Sequence, residues 1–535
     1  MAQRLARRDA NVTSIIPRPV SVRSAPGYFE FHADTVIGVQ PQTAAAGAYL
    51  ARSLAPATGW DLALRQLPVR RLPVRRGGSS GETQVILRLS PPAAQFGDEG
   101  YALDVTPAQV VITGATPAGV FYGVQSLMQL LPPAVWRSVL QPGARWRIPG
   151  IRITDHPRFA WRGLMLDSAR YYMPTSFIKR LFDLMALHKL NRFHWHLTDD
   201  QGWRLEIKRY PKLTSVGAWR AETVVGHESN RPKYMDGVPH GGFYTRDDVR
   251  ELVAYARERM ITIIPEIEMP GHAQAAIAAY PELGCTGRRL PVSTHWGVHT
   301  TLFNTEAKTI RFLQNVLSEV IELFPGSFIH IGGDEAVKDQ WQASPRIQAH
   351  LRKLHLKDER ALQAWFIRNM DRFLAARGRR LIGWEEILEG GLAKGAVVMA
   401  WRQDGAAALE ATGKGHDVVM APQVHTYFDW YQSDAHEPLA IGGYLPLQKV
   451  YEFEPVPPKL KASQATRILG AQGQLWSEYL PTPSQTEYMA FPRTAALAEV
   501  VWSPAWARNY ADFQRRLNIH LRRLDMLGVN YRRSG

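Results

Sequence analysis

From Ile151 to the C-terminus the chain alternates short apolar runs with helix-period segments, and that alternation restricts the fold more than any other feature of the sequence. Eight runs read as strands: WRGLMLD from Trp161, NRFHWHL from Asn191, MITIIPEIE from Met260, SFIHIGG from Ser327, RLIGWEE from Arg380, AVVMAW from Ala396, DVVMAP from Asp417 and RILGAQGQLW from Arg467. Between most of them lie segments with apolar residues at i, i+3, i+4 and i+7, for example TSFIKRLFDLMALHKL and TEAKTIRFLQNVLSEVIELF. Strands that alternate with helices make βα units and a parallel sheet, and eight such units close a (β/α)8 barrel. The expected fold class is therefore α/β, with a barrel over residues 149–535 that ends in C-terminal helices. Its longest connections follow the second strand, Gln201 to Tyr244, and the seventh, Val424 to Thr466.

Residues 1–148 have a different texture. TVIGV at 35–39, TQVILRL at 83–89, YALDVT at 101–106 and QVVITG at 109–114 alternate apolar and polar positions between Pro and Gly breaks, as half-buried strands do. Helical segments begin near Thr43 and Ala115. A small α+β domain is expected, an antiparallel sheet with helices on one face. Inside it LPVRR occurs twice, at Leu67 to Arg71 and Leu72 to Arg76, and reads as a solvated loop.

The chain has 535 residues, 45% hydrophobic and 21% charged, so it can bury a large core and general disorder is excluded. Lys and Arg number 64 against 49 Asp and Glu, a formal net charge of +15. The arginines are scattered rather than gathered beside aromatics, so no nucleic-acid partner is expected. The single cysteine, Cys285, excludes an internal disulfide and a Cys-based zinc cage, and a buried neutral thiol is expected. No run reaches the roughly 20 apolar residues that span a bilayer, and the opening MAQRLARRDANVTSIIPRP lacks an apolar export core. As written the chain is expected to be soluble, without a membrane partner or export signal, with the compartment and oligomeric state open. Asn11-Val12-Thr13 matches a glycosylation sequon, read as a chance match.

In such barrels chemistry sits where strands end. Those ends carry Asp167 and Arg170; His194, His196, Asp199 and Asp200; Glu266, Glu268 and His272; Asp334 and Glu335; Trp384, Glu385 and Glu386; Trp401; His425, Tyr427 and Asp429; Trp476 and Glu478. A barrel interior is ordinarily filled by layers of Val, Ile and Leu, and charged groups near it carry a desolvation cost. Carboxylates among several tryptophans suit a carbohydrate: acids serve glycosidic cleavage, and indole faces stack on sugar rings. A metal site is the competing explanation for His194, His196, Asp199 and Asp200, but no H-E-x-x-H spacing occurs in the chain.

The segment Phe328-Ile329-His330-Ile331-Gly332-Gly333-Asp334-Glu335 resembles the H-x-G-G-D-E signature of glycoside hydrolase family 20, the β-N-acetylhexosaminidases. Other family-like segments follow the same order: Asp167-Ser168-Ala169-Arg170, His194 to Arg204, Pro265 to His272, Gly383 to Ile387, Tyr427-Phe428-Asp429 and Leu475 to Glu478. Neighbouring residues of an extended strand point to opposite sides, so Asp334 and Glu335 are not expected to flank one anomeric carbon as a retaining pair does.

The resemblance implies an exo-acting retaining enzyme that removes terminal β-linked N-acetylglucosamine or N-acetylgalactosamine from oligosaccharides or glycoconjugates. The substrate's own 2-acetamido oxygen would be the nucleophile, and no cofactor or metal is implied. Glu335 would be the general acid with a raised pKa, Asp334 would orient the acetamide N–H, and Tyr427 would hold its oxygen. Asp200 and His272 would form a relay behind Glu335. Arg170, Asp429 and Glu478 would bind sugar hydroxyls within walls of Trp384, Trp401 and Trp476. Tyr171 stands where the family often has His, and Glu385 where it often has Asp. Two alternatives remain at this point: an inactive sugar-binding barrel, and a glycosidase with Glu268, Glu386 or Glu478 as protein nucleophile.

Overall fold

A computed structural model describes residues 14–67, 84–90, 96–403, 405–434 and 436–533. The Asn11 sequon and nearly all of the LPVRR repeat lie outside these residues. The N-terminal sheet has seven strands: β1 (Ser21–Glu30), β2 (Ile37–Val39), β3 (Leu64–Gln66), β4 (Val85–Leu89), β5 (Tyr101–Val105), β6 (Val110–Gly114) and β7 (Arg147–Asp155), in the order β1-β7-β5-β6-β4-β2-β3. The expected antiparallel sheet is corrected here to a mixed one. β1, β7, β5 and β6 pair antiparallel, whereas β6, β4, β2 and β3 pair parallel. The reason is helix α1 (Ala44–Thr58), which carries the chain back between β2 and β3 as a crossover and so makes their directions the same.

Helix α1 and helix α2 (Pro117–Leu130) cover the face that presents Tyr101, Leu103, Val110 and Ile112. Thr116 caps α2 by accepting from the Ala118 N–H, with Pro117 at the first helical position, where its missing N–H costs nothing. The expected division at 148/149 falls inside β7, whose residues to Asp155 pair with β1 and β5. We propose that the two units part after Asp155 instead.

The eight expected barrel strands are all present: β8 (Trp161–Asp167), β9 (Arg192–His196), β10 (Thr262–Glu266), β11 (Phe328–His330), β12 (Arg380–Trp384), β13 (Val397–Ala400), β14 (Val418–Met420) and β15 (Ile468–Leu475). They close in parallel, β15 pairing back on β8 with Gly470 opposite Trp161 and Leu475 opposite Leu166. Outward residues such as Leu164, Phe193, Ile263 and Ile329 join helix α3 (Thr175–Leu187) and its neighbours in one apolar cluster. Each such buried side chain is worth ~1.5–3 kcal/mol.

Inside the barrel the expected Val, Ile and Leu filling holds only in part, with Ile264, Ile382, Val397 and Val419. Ile382 and Val397 stand in register with a run of polar residues on the neighbouring strands, His330, Glu266, His196 and Asp167. His194, Gln472 and Gln474 are equally buried, and Gln472 Nε2 donates to His194 Nδ1 at 2.8 Å. These polar groups tolerate burial because they bond one another.

The two units meet through buried polar groups. Asp155 at the end of β7 accepts from Tyr101 OH at 2.7 Å, Lys189 Nζ at 2.9 Å and Trp502 Nε1 at 3.0 Å. Cys285 is buried, with its thiol against the Leu302 carbonyl, and burial pushes the thiol up to about 12.

Candidate active site

The loops that leave β8 to β15 enclose a cavity of about 160 Å³ at the C-terminal end of the barrel. Its wall includes ten of the eleven expected site residues: Arg170, His272, Asp334, Glu335, Trp384, Trp401, Tyr427, Asp429, Trp476 and Glu478. Asp200, the eleventh, lies behind the wall beside His272.

The loop after β11 brings the two neighbouring acids into the cavity. Gly332 and Gly333 take φ of +67° and +97°, and Glu335 is itself left-handed at +45°. A Cβ at Gly332 would fall 1.6 Å from Glu268 Oε2, so only glycine fits there. This turn overturns the expectation that Asp334 and Glu335 point to opposite sides, because they do not lie on extended strand. Both face one imidazole, with His272 Nε2 at 3.6 Å from Asp334 Oδ2 and 3.5 Å from Glu335 Oε2. His272 also adopts a left-handed φ, +48°. Two non-glycine residues in that region at one site is the kind of local strain that functional sites retain.

Behind His272, Nδ1 stands 3.2 Å from Asp199 Oδ1 and 3.3 Å from Asp200 Oδ2. Asp200 is anchored by the Gln274 N–H, which donates to Oδ1 at 2.9 Å. Burial alone would lower the His272 pKa, but Asp199 and its other acidic neighbours outweigh it and hold it well above the ordinary histidine value. Burial likewise pushes the Glu335 carboxyl up, yet the hydrogen bond and charge of His272 prevail and its pKa lies below the usual value. The expected raised pKa at Glu335 is thus corrected: its side chain is 38% exposed and has a cation beside it. Asp334 goes the other way. Burial and the nearby Glu386, Glu266 and Glu335 carboxyls, partly offset by His272, push it up to about 8.

Arg170 is the other fixed charge. Its Nη1 donates to Asp167 Oδ2 at 3.1 Å, its Nε to Gln201 Oε1 at 3.0 Å, and its Nη2 stands 2.8 Å from Asp199 and 3.8 Å from Glu478. Asp167 also accepts from the Ala169 and Arg170 N–H groups, which ties the loop after β8 to the guanidinium. Burial pushes Glu478 and Asp429 up, and each is raised further by neighbouring carboxylates.

The aromatic walls are set from beneath. Trp384 Nε1 donates to Glu266 Oε1 at 2.8 Å, and Trp401 Nε1 to Glu386 Oε2 at 3.1 Å. Trp384 and Trp476 are 5.7 Å apart, Tyr427 lies 6.4 Å from both Trp401 and Trp476, and the Arg170 guanidinium stands 5.2 Å over Trp476. Glu385, one of the two departures, accepts from the Trp401 and Arg402 N–H groups.

Asp199, Gln423, Trp430 and Ile441 also line the cavity and were not among the expected site residues. Asp199 had a signal, an acid beside Asp200. Which of the two faces Arg170 depends on the short Thr198–Asp199 and Gly202–Trp203 pairing. Ile441 comes from a long loop and carries no sequence signal.

Among the described residues, metal-ligating atoms gather within 4.8 Å in four groups: His194, Glu266 and His330; His196, Glu266 and Glu268; Asp199, Asp200 and His272; and His272, Asp334 and Glu335. In the first two Glu266 is already engaged, with Trp384 donating and with His196 Nδ1 at 2.5 Å and His330 Nδ1 at 2.7 Å. In the third Asp199 is engaged by Arg170 and His196. These sets act as hydrogen-bond and ion-pair networks beneath the cavity.

A parallel barrel whose strand ends gather paired acids, an arginine and packed indoles is the architecture of a glycoside hydrolase. The catalytic-domain model of glycosyl hydrolase family 20 matches residues 159–505 and the family's domain 2 model matches residues 12–156, and the chain belongs to this family. A beta-hexosaminidase of Porphyromonas gingivalis is 47% identical over 440 residues, covering 81% of this chain and 54% of the relative, so the chain spans about half of that protein. A beta-N-acetylhexosaminidase of Cellulomonas fimi is 32% identical over 97% of this chain and 96% of its own length. Among solved structures, a mutant Streptomyces plicatus beta-hexosaminidase in complex with the product GlcNAc superposes with a TM-score of 0.83 at 34% identity, covering 98% of this chain and 97% of that one.

Proposed function

We infer that the chain is an exo-acting β-N-acetylhexosaminidase, hydrolysing terminal β-linked N-acetylglucosamine or N-acetylgalactosamine with retention through an oxazolinium intermediate. The observation that carries this reading is the convergence of Asp334 and Glu335 on one imidazole in a small cavity walled by indoles. Two carboxyls on the same side of a bound ring do not supply an acid on one face and a nucleophile on the other. The nucleophile is then the substrate's acetamido oxygen, attacking C1 as the bond to the leaving oxygen breaks.

Glu335 protonates that leaving oxygen and afterwards takes a proton from the incoming water. Asp334 accepts from the acetamide N–H and balances the positive charge that spreads over the forming ring. Of the two carboxyls Asp334 has the higher pKa, so a proton shared by the pair favours it over Glu335. Substrate that displaces water from Glu335 and brings an N–H donor to Asp334 favours its transfer to Glu335. Tyr427 donates from across the cavity, and burial keeps its hydroxyl protonated. Holding the acetamide in line by such contacts can replace ~7–11 kcal/mol of the barrier.

The protein-nucleophile candidates fit less well. Glu268 is buried, its side-chain oxygens find no hydrogen-bond partner among the described residues, and burial raises its pKa, which disfavours the anion a nucleophile needs. Glu386 is held by Trp401 and Arg402. Glu478 sits beside Arg170.

The terminal sugar's outer hydroxyls are bound by Arg170, Asp429 and Glu478. Among the described residues no helix is long and apolar enough to cross a membrane. A thiazoline analogue of the bicyclic intermediate tests the mechanism. Tight competitive inhibition is expected, and covalent labelling of a carboxylate by a fluorosugar with no thiazoline inhibition would contradict it.

A further inference from the structure

A second recess, of about 240 Å³, adjoins the catalytic cavity at Glu478. Its walls are Tyr171, Val224, Trp296, Leu439 and Tyr479, and Glu478 lines both it and the catalytic cavity. Five separate loops build it, those that follow β8, β9, β10, β14 and β15. Tyr171 follows Arg170 directly and packs on Trp296 at 5.7 Å and edge-on to His240 at 4.9 Å. The Arg220 guanidinium lies behind both rings, 5.0 Å from Tyr171 and 5.2 Å from Trp296. Tyr479 is stacked under His227 at 5.4 Å, and its hydroxyl accepts from the Glu228 N–H. Val224, Trp296 and Tyr479 are buried and form a small apolar cluster of their own, while Leu439 at the lip is 41% exposed. The protein's own contacts thus hold the walls in place, and among the described residues none that lines the recess is basic.

We propose that this recess is a specificity site for an uncharged acyl substituent on the primary hydroxyl of the terminal sugar, so that O6-acylated N-acetylhexosaminides are substrates. The inference rests on the hexosaminidase reading, in which Glu478 faces the hydroxyls farthest from the scissile bond. A group on O6 leaves the catalytic cavity past Glu478 and enters the recess. Apolar walls without a lining cation favour an acyl ester and give a sulfate or phosphate nothing to pair with. Tyr171, the departure from the His frequent at this position, supplies one wall of the recess.

The test compares p-nitrophenyl N-acetylglucosaminide with its 6-O-acetyl, 6-O-butanoyl and 6-sulfate derivatives. The expected kcat/KM for the butanoyl ester is at least that of the unsubstituted sugar, with up to about fourfold gained per added methylene. The sulfate is expected at least about tenfold lower. In Leu439→Trp, a change at an exposed position that fills the lip, the butanoyl-to-unsubstituted ratio is expected to fall about tenfold. A wild-type butanoyl rate a hundredfold below the unsubstituted one, or a ratio unchanged in Leu439→Trp, would overturn the proposal. Absence of hydrolysis of the unsubstituted sugar would instead remove the hexosaminidase reading, and the recess proposal with it.

Discussion

Glu335 and Asp334 differ in the direction their surroundings push them, and the difference can be measured. The pair and His272 titrate together, so the relevant quantity is the proton they share. As pH rises through about 8 the proton on Asp334 is lost, the carboxyl pair no longer holds a proton for the leaving group, and kcat/KM is expected to fall on an alkaline limb near that value. A rate that stays flat to pH 10 would contradict the assignment. Glu335→Gln is expected to lower kcat/KM by about 10²–10⁴ on unactivated chitobiose and much less on a dinitrophenyl glycoside, whose leaving group needs little protonation. Equal losses on both would count against Glu335 as the acid. Asp334→Asn is expected to impair both substrate types alike, because the acetamide loses its orienting anion. Competition kinetics with the two leaving groups measure this directly.

The loop that follows β11 decides whether the acids converge at all, and Gly332 is its critical position. Gly332→Ala would need a left-handed backbone and would drive its methyl into the Glu268 carboxyl. A loss of ~2–4 kcal/mol is expected by chemical denaturation, together with loss of activity. Wild-type stability would show that the loop relaxes freely. The eight strands were legible in the sequence because apolar runs between amphipathic helices have few other solutions, and the acids and indoles were legible because such residues cost energy at barrel mouths. What the sequence did not reveal was the turn at Glu335, since a left-handed glutamate carries no composition signal. Asp199 was overshadowed by Asp200, as only the folded hairpin tells which of two adjacent acids meets Arg170. The parallel half of the N-terminal sheet was hidden for a similar reason: β3 is three exposed residues with no apolar pattern.

The two units hold together around Asp155, a buried carboxylate reached by Tyr101 from its own sheet and by Lys189 and Trp502 from the barrel side. Asp155→Ala leaves the Lys189 ammonium buried and unpaired, and a loss of ~3–5 kcal/mol in thermal or denaturant unfolding is expected. A loss under about 1 kcal/mol would mean the interface is carried by apolar contacts alone. The barrel, the docked sheet and the cavity loops together serve one end, to hold an acetamide where it can attack its own sugar. That claim is tested most directly by kcat/KM on two p-nitrophenyl glycosides that differ only at carbon 2. If the amide is the nucleophile, replacing it with a hydroxyl lowers kcat/KM by more than about a thousandfold. Comparable rates on the two glycosides would contradict the account.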